Sequence, residues 1–405
     1  MTATRSGPLS DVRVIEAGTL IAGPFCGQLL ADFGAEVIKV EDPGAGDPMR
    51  QWGQVKHEGK SLSWPVIARN KKSVTANLRI AEGQRILREL VAGADVFVEN
   101  FRPGTLERWG LSYDELQEIN PRLVLVRVTG YGQDGPYASR AGFGAIGEAM
   151  GGMRHVTGEP DRPPSRVGVS VGDSLAATFS ALGAVMALHA RNRTGRGQVV
   201  DTAIYEAVLA FMESMLPEWE IAGYQRERTG SVLPRIAPSN AYPTADGAEI
   251  IIGANRDTVF TRLCELMGEP ELATGERYGN HDARGENQVE LDELIAAWTR
   301  GFDAADVLDK LHEAGVPAGR VYTAADMTAD PHFAARQAIV RLMHPELGEF
   351  PMQNVVPRLS DTPGEVRSLG PELGEHNAEI LAALGYGARE IEALTEAGVL
   401  GGPTA

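Results

Sequence analysis

Residues Val12 to Glu41, VRVIEAGTLIAGPFCGQLLADFGAEVIKVE, decide the fold. Val12 to Glu16 is a short apolar run ending near Gly18, Pro24 to Phe33 carries apolar residues at helical spacing, and Glu36 to Glu41 is strand-like. Strand, helix and strand in that order form a βαβ unit, because parallel strands need a crossover between them. The pattern continues. Ala81 to Ala92 (AEGQRILRELVA) is helical and leads into Asp95 to Glu99 (DVFVE), and Tyr113 to Ile119 leads into Leu123 to Val128 (LVLVRV). Apolar strands alternating with helices predict an α/β fold with a parallel sheet covered on both faces. Asp173 to His189 reads as one long, mostly apolar helix, closed by the polar turn Arg191 to Gly197 and expected to be buried against that sheet.

Around Arg226 to Pro238 the chain turns polar and proline-containing, and AYPTADGAEIIIGA then reads as a hairpin turning at Asp246 and Gly247. Helices near Asp257 to Met267, Glu286 to Arg300 and Ala304 to Ala314, with a strand at Pro317 to Tyr322, complete a smaller α+β domain. After Pro331 come strand-like runs near Ile339 to Met343 and Gln353 to Val356, then helices at His376 to Leu384 and Arg389 to Ala397. The expected division is a large domain of residues 1–225 and 335–405 and a small domain of residues 226–334.

The 405 residues carry 38 Lys and Arg against 55 Asp and Glu, a net charge of −17. Such a chain repels nucleic acid and anionic membranes, so neither is an expected partner, and a polyanionic ligand needs a local basic patch. Cys26 and Cys264 are the only cysteines, which excludes a disulfide framework and fits a reducing cytoplasm. The most apolar stretch, Leu175 to Ala190, is interrupted by Thr178, Ser180 and His189, so no membrane span is expected. The eight histidines show no H-x-x-H or H-E-x-x-H spacing, and no metal site is expected.

Several motifs carry chemistry. Glu41 ends the second strand where an acidic residue can bind a ribose, but Gly18, Gly23 and Gly27 do not form G-x-G-x-x-G, which argues against a dinucleotide. Gly168-Val169-Ser170-Val171-Gly172 is a literal G-x-S-x-G, yet a serine nucleophile needs a buried strand before it, and Glu159 to Arg166 (EPDRPPSR) reads as a loop. Asp173 stands between Gly172 and Ser174 at the start of the long helix. It can act as an ordinary N-cap or, with glycines leaving room for a ligand's reacting carbon, as a covalent nucleophile. Lys71, Lys72, Arg79, Arg102, Arg108 and Arg140 fall at or after strand ends, where open α/β sheets bind ligands, and together could hold a phosphorylated one. His155, in a glycine-rich loop, is an acid–base candidate or an ordinary loop histidine.

The segments AGP at Ala22 to Pro24, LLADFGAEVIKVE, RNKKS, ADVFVENFRPGTLERWG, GDS at Gly172 to Ser174, TGRGQ at Thr194 to Gln198 and LGEH at Leu373 to His376, taken in order, resemble the class III coenzyme A transferase (CaiB/BaiF) family over nearly the whole chain. The resemblance implies a CoA transferase that moves CoA from an acyl-CoA to a small carboxylic acid through aspartyl anhydride and aspartyl-CoA thioester intermediates, with Asp173 as nucleophile. It places CoA against Ile21, Ala22, Ala76, Asn77, Leu78, Arg79, Asn100, Phe101, Arg102, Arg108 and Arg140, with CoA as substrate and no cofactor. It also implies an α/β fold with a large doubly wound, Rossmann-like parallel-sheet domain plus a smaller α+β domain, and two chains interlocked as a homodimer. The chain departs from the member acting on formyl-CoA and oxalate, having Ile21 in place of a glutamine and no glycine run in Pro234 to Thr244, and it has Asp42 where some members place an arginine. RTGSVLPRIAPSNAYPTADG looks most like members that use succinyl-CoA with dicarboxylic or branched acids. The alternatives are an acyl-CoA racemase or isomerase of the same fold, although Arg140 to Phe143 lacks that group's histidine motif, a non-catalytic acyl-CoA binder, and a serine hydrolase using Ser170.

Overall fold

A computed structural model describes residues 6–402, so residues 1–5 and 403–405 of the expected large domain lie outside it. The chain divides into two units. The first runs to Arg154 and adds Val167–Ala222 and Ala335 onward; the second is His155–Arg166 with Gly223–Ala334.

The first unit is built on six parallel strands: β1 (Arg13–Glu16), β2 (Glu36–Glu41), β3 (Lys71–Thr75), β4 (Val96–Glu99), β5 (Val124–Thr129) and β6 (Val199–Ala203). Their spatial order is β3-β2-β1-β4-β5-β6. The chain runs outward from β1 in one direction and then from β4 in the other, so a crevice opens between β1 and β4 at the carboxyl ends of the strands, where such sheets bind ligands. β1 and β4 are almost wholly apolar until their last residue because helices cover both faces. Val14, Ile15, Val96, Phe97 and Val98 are each 0% exposed, and burying one such side chain contributes about 1.5–3 kcal/mol.

On one face lie α1 (Ala22–Asp32) and, later in the chain, the long helix; on the other, α2 (Ala81–Ala92) and two short helices, α3 (Thr105–Arg108) and α4 (Tyr113–Ile119). After β5 come α5 (Gly144–Met150) and the long helix α6 (Val171–Thr194), then α7 (Ile204–Leu209) and α8 (Met215–Ala222). α6 is five residues longer at its C-terminal end than the apolar pattern predicts, because Arg191 is buried and pairs with Asp95. Its burial is one-sided. Ala176, Ala177, Ala181 and Ala184 pack into the core shared with α1, β5 and β6, whereas Phe179, Leu182, Val185 and Met186 are exposed. Among the described residues α6 is the one helix long and apolar enough to cross a membrane, and its small-residue face packs on the sheet.

The second unit has three antiparallel strands, β7 (Ser239–Pro243), β8 (Glu249–Gly253) and β9 (Ala318–Arg320), in the order β9-β8-β7, with α9 (Asp257–Met267), α10 (Gln288–Thr299) and α11 (Ala304–Glu313). Arg284 organises it from inside: fully buried, it donates to the carbonyls of Ala237, Tyr278 and Asn255 and to Asp257. The expected helix from Glu286 to Arg300 is found as α10, starting after Asn287, whose side chain donates back to Ala283 O of the short helix His281–Glu286 before it. Back in the first unit, β10 (Ile339–His344) pairs with β11 (Gly348–Gln353), so the second strand lies before the expected Gln353 to Val356, ending at Gln353 ahead of Pro357. The last helices are α12 (Asn377–Ala383) and α13 (Ala388–Glu396).

Two strands of the large sheet went unread in the sequence, as did the short antiparallel pair Lys56–His57 and Lys60–Ser61. β3 begins with Lys71 and Lys72, and charge at that position hides a buried strand unless its partners are known. β6 follows the polar turn after α6 and is an edge strand, paired only with β5.

Candidate active site

At the carboxyl ends of β1 to β4 a cleft of about 260 Å³ is lined by Ala17, Thr19, Lys39, Asp42, Asp47, Ala76, Leu78, Arg79, Phe101, Thr105 and Trp109, among others. Phe101 and Trp109 meet edge to face with centroids 5.2 Å apart, giving the cleft an aromatic wall. At its rim, Arg79 Nη1 lies 2.8 Å from Asp42 Oδ2. Burial would raise the Asp42 carboxyl, but the backbone N–H groups of Ala45 and Gly44, together with Arg79, hold it below the usual carboxylate value.

Of the residues expected to contact CoA, the structure brings Ala76, Leu78, Arg79 and Phe101 to this cleft. Asn77 stands behind it, its N–H donating to Val399 O and its Oδ1 accepting from Arg79 N. Asn100 is spent on the first turn: its Oδ1 accepts from Thr19 N at 2.8 Å and its Nδ2 donates to Thr19 O at 2.9 Å. Ile21 packs toward Met49 and Trp64, and Ala22 is buried in the main core. Arg102 and Arg108 are exposed beside the cleft, Arg108 donating to Thr105 Oγ1. Arg140 stacks 3.6 Å over the Tyr137 ring on another loop and is not part of the lining.

Lys71 and Lys72 prove unavailable to a phosphate. Lys71 is fully buried against Glu16, and Lys72 pairs with Glu36 and Glu379. Glu41 is likewise consumed, by Arg50, Ser73 and the N–H of Asp47, so it presents no free carboxylate to a ribose.

The wall carrying Phe101 and Trp109 is clamped from below. Arg127 on β5 donates to Glu99 at 2.6 Å and to Glu107 of α3 at 2.7 Å, and Glu99 accepts the N–H of Phe101. Burial pushes the Glu99 carboxyl up to about 7 despite the opposing pull of Arg127.

Asp173 is the third residue of α6, in the first turn, where the helix dipole favours negative charge. It is half-buried, and α5 lies directly against it. Gly144, Gly147 and Gly151 present one side of α5: a Cβ at Gly144 would lie 2.3 Å from Asp173 Oδ2, one at Gly147 2.4 Å from Ile204 Cγ2, and one at Gly151 2.7 Å from Val208 Cβ. Glycines three and four residues apart, the last at the C-cap of α5, thus let α5 pack closely against the Asp173 carboxylate of α6 and against α7. Glu148, also on α5 and 1% exposed, accepts the N–H of Gly172 at 3.4 Å. The sequence signal for this surface was the glycine spacing in GFGAIGEAMGG, which went unread. Ser170 has no strand before it; between β5 and α6 the described residues form only helices and loop. The nucleophile-elbow geometry is therefore absent. His155, in the second unit, bonds through Nε2 to Arg226 O at 3.0 Å.

The profile described as CoA-transferase family III matches residues 9–377. The chain is similar to succinyl-CoA–D-citramalate CoA-transferase of Chloroflexus aurantiacus, 63% identical over 93% of this chain and 94% of that protein. It is 43% identical to the beta subunit of succinyl-CoA–L-malate CoA-transferase from the same organism, over 93% and 94%. A CAIB/BAIF family protein from Brucella suis has a similar solved structure, with a TM-score of 0.82 and 38% identity over 94% of this chain and all of that one.

Proposed function

Because this chain belongs to CoA-transferase family III, we propose that it carries CoA from succinyl-CoA to a small dicarboxylic or hydroxy-dicarboxylic acid of the citramalate or malate kind, with Asp173 as the covalent carrier. The observation that carries the assignment of Asp173 is its carboxylate standing in the first turn of α6 against the bare Cα of Gly144, a close approach that no other residue type allows. The donor and acceptor classes are supported by the similarity to the succinyl-CoA-dependent D-citramalate and L-malate enzymes.

In this reading a carboxylate oxygen of Asp173 attacks the thioester carbonyl, the C–S bond breaks, and CoA leaves as thiolate from a mixed anhydride. The thiolate then attacks the Asp173 carbonyl, releasing succinate and leaving an aspartyl-CoA thioester. The acceptor's carboxylate attacks that thioester, forming a second anhydride and freeing the thiolate again. Its attack on the acceptor carbonyl yields the new thioester and restores the Asp173 carboxylate. No proton or electron is gained or lost, so the site needs only to bind the oxyanions, hold CoA close between steps and exclude water. CoA is held in the cleft by Arg79, Phe101 and Trp109, with Arg102 and Arg108 beside it and Arg140 contributing from its own loop.

We place the working enzyme in a homodimer. The exposed apolar face of α6 carries Phe179, Leu182, Val185 and Met186, and Phe179 meets the exposed Phe211 edge to face, an apolar surface of the kind that protein interfaces cover. A reducing cytoplasm suits the two buried, unpaired cysteines.

The test is mass spectrometry of protein incubated with succinyl-CoA and hydroxylamine in the absence of acceptor. A hydroxamate at Asp173, absent in Asp173→Ala although that variant still binds CoA, is the expected result. Transfer retained in Asp173→Ala overturns the assignment.

A further inference from the structure

In the floor of the cleft, where Lys39 and Asp47 line it, and beneath it lies a buried ionic ladder that the reaction itself does not use. Glu16, the last residue of β1, receives Lys39 from β2 at 2.9 Å and Lys71 from β3 at 2.7 Å, one on each carboxylate oxygen, with all three side chains at most 1% exposed. Lys39 also meets Asp47 Oδ2 at 2.8 Å and donates to Gly18 O at 2.8 Å. It thus makes two hydrogen bonds, to Glu16 and Gly18 O, and one further ion-pair contact, to Asp47. Lys71 donates in addition to Pro24 O at 2.6 Å. Beside them Arg50 neutralises Glu41. The cluster contains Glu16, Glu41 and Asp47 against Lys39, Lys71 and Arg50, and is charge-balanced.

Burial would lower the Lys39 ammonium, but Glu16, Asp47 and Glu41 hold it above the usual lysine value. Burial would raise the Glu16 carboxyl, but Lys39 and Lys71 hold it below the carboxylate range. Both stay ionised.

What the ladder grips is backbone. The segment from Gly18 to Pro24, which comprises the β1–α1 turn and the first residues of α1, is held at Gly18 O by Lys39, at Thr19 N and O by Asn100, at Leu20 N by Asp47 Oδ1, and at Pro24 O by Lys71. Leu20 sits at φ +65°, a left-handed conformation that a leucine keeps only when its surroundings impose it. Thr19 of this segment, and Ala17 just before it, line the cleft. A buried ion pair is weak evidence for stability, since apolar residues of similar volume often serve as well. These ions instead end on carbonyl oxygens of the segment that forms the cleft's inner wall.

We propose that Lys39 and Lys71 are positioning residues for CoA binding, acting through the Gly18–Pro24 segment: Lys39 lies in the cleft floor, but at 1% exposure its ammonium is spent on Glu16, Asp47 and Gly18 O. The inference rests on the reading that the cleft takes CoA.

The experiment is isothermal calorimetry with free CoA, together with steady-state kinetics, on wild type, Lys39→Met and the charge-balanced Lys39→Met/Asp47→Asn, with Lys72→Met as control. Both Lys39 variants are expected to weaken CoA binding at least about tenfold, while the KM for the acceptor acid stays within about twofold and Lys72→Met matches wild type. A merely structural role would lower the active fraction and leave the CoA dissociation constant of the folded molecules unchanged. Unchanged CoA affinity in either folded variant, or loss of fold in both, overturns the proposal. Failure of wild type to bind CoA would instead overturn the reading of the cleft.

Discussion

A Cβ at Gly144 would stand 2.3 Å from Oδ2 and 2.7 Å from Cγ of Asp173. The side chain that would carry the chemistry is therefore aimed by the absence of another. In Gly144→Ala the carboxylate must swing away while the surrounding helices keep their places. We expect turnover to fall about 100-fold or more, since a misplacement near 1 Å costs that much. CoA affinity and melting temperature should stay near wild type. Full activity in this variant would show that the carboxylate has room to spare.

The same helix makes a second, purely structural contact. Gly147 faces Ile204 so closely that Gly147→Ala overpacks the junction of α5 and α7, a change that costs about 1–3 kcal/mol. Combining it with Ile204→Ala removes the offending methyl group. Urea unfolding of the four proteins in the cycle should give a coupling of about 0.5–3 kcal/mol in the compensating sense. Simple additivity would mean the two residues do not meet.

Glu99 offers a pH signature. Burial raises its carboxyl to about 7 in the folded chain, so between the ordinary carboxylate value and about 7 the folded state binds more protons than the unfolded one. Stability contributed by Glu99 is then largest at low pH, falls as pH rises through that window and is flat above it. Unfolding free energies of wild type and Glu99→Gln, compared from about pH 5 to about pH 8, should show the wild-type advantage shrinking with rising pH. An advantage that grows with pH would give the shift the opposite sign.

The apolar face of α6 can be tested without touching the site. Leu182 is 48% exposed, so Leu182→Asp costs the isolated chain little, within about 0.5 kcal/mol for a surface position. In the homodimer it would place a charge in an apolar contact. Light scattering is expected to show wild type at twice the mass of one chain and the variant shifted to the monomer. Equal masses for the two proteins would remove this face from any interface.

Local sequence determined the alternation of strand and helix that makes the sheet, the hairpin at Asp246 and Gly247, and the position of Asp173 at a helix start, because each rests on periodicity or turn chemistry within a few residues. The family was also legible, through segments whose order along the chain carries the resemblance. What only the tertiary structure decided is where buried charge goes. Lys71 looks like a surface or phosphate-binding lysine until Glu16, from a strand far away in sequence, is placed against it, and the same blindness hid β3. Gly144, Gly147 and Gly151 look like flexible loop until α6 and α7 are seen crossing α5. Desolvation and steric contact depend on neighbours brought in from distant parts of the chain, and no local window contains them.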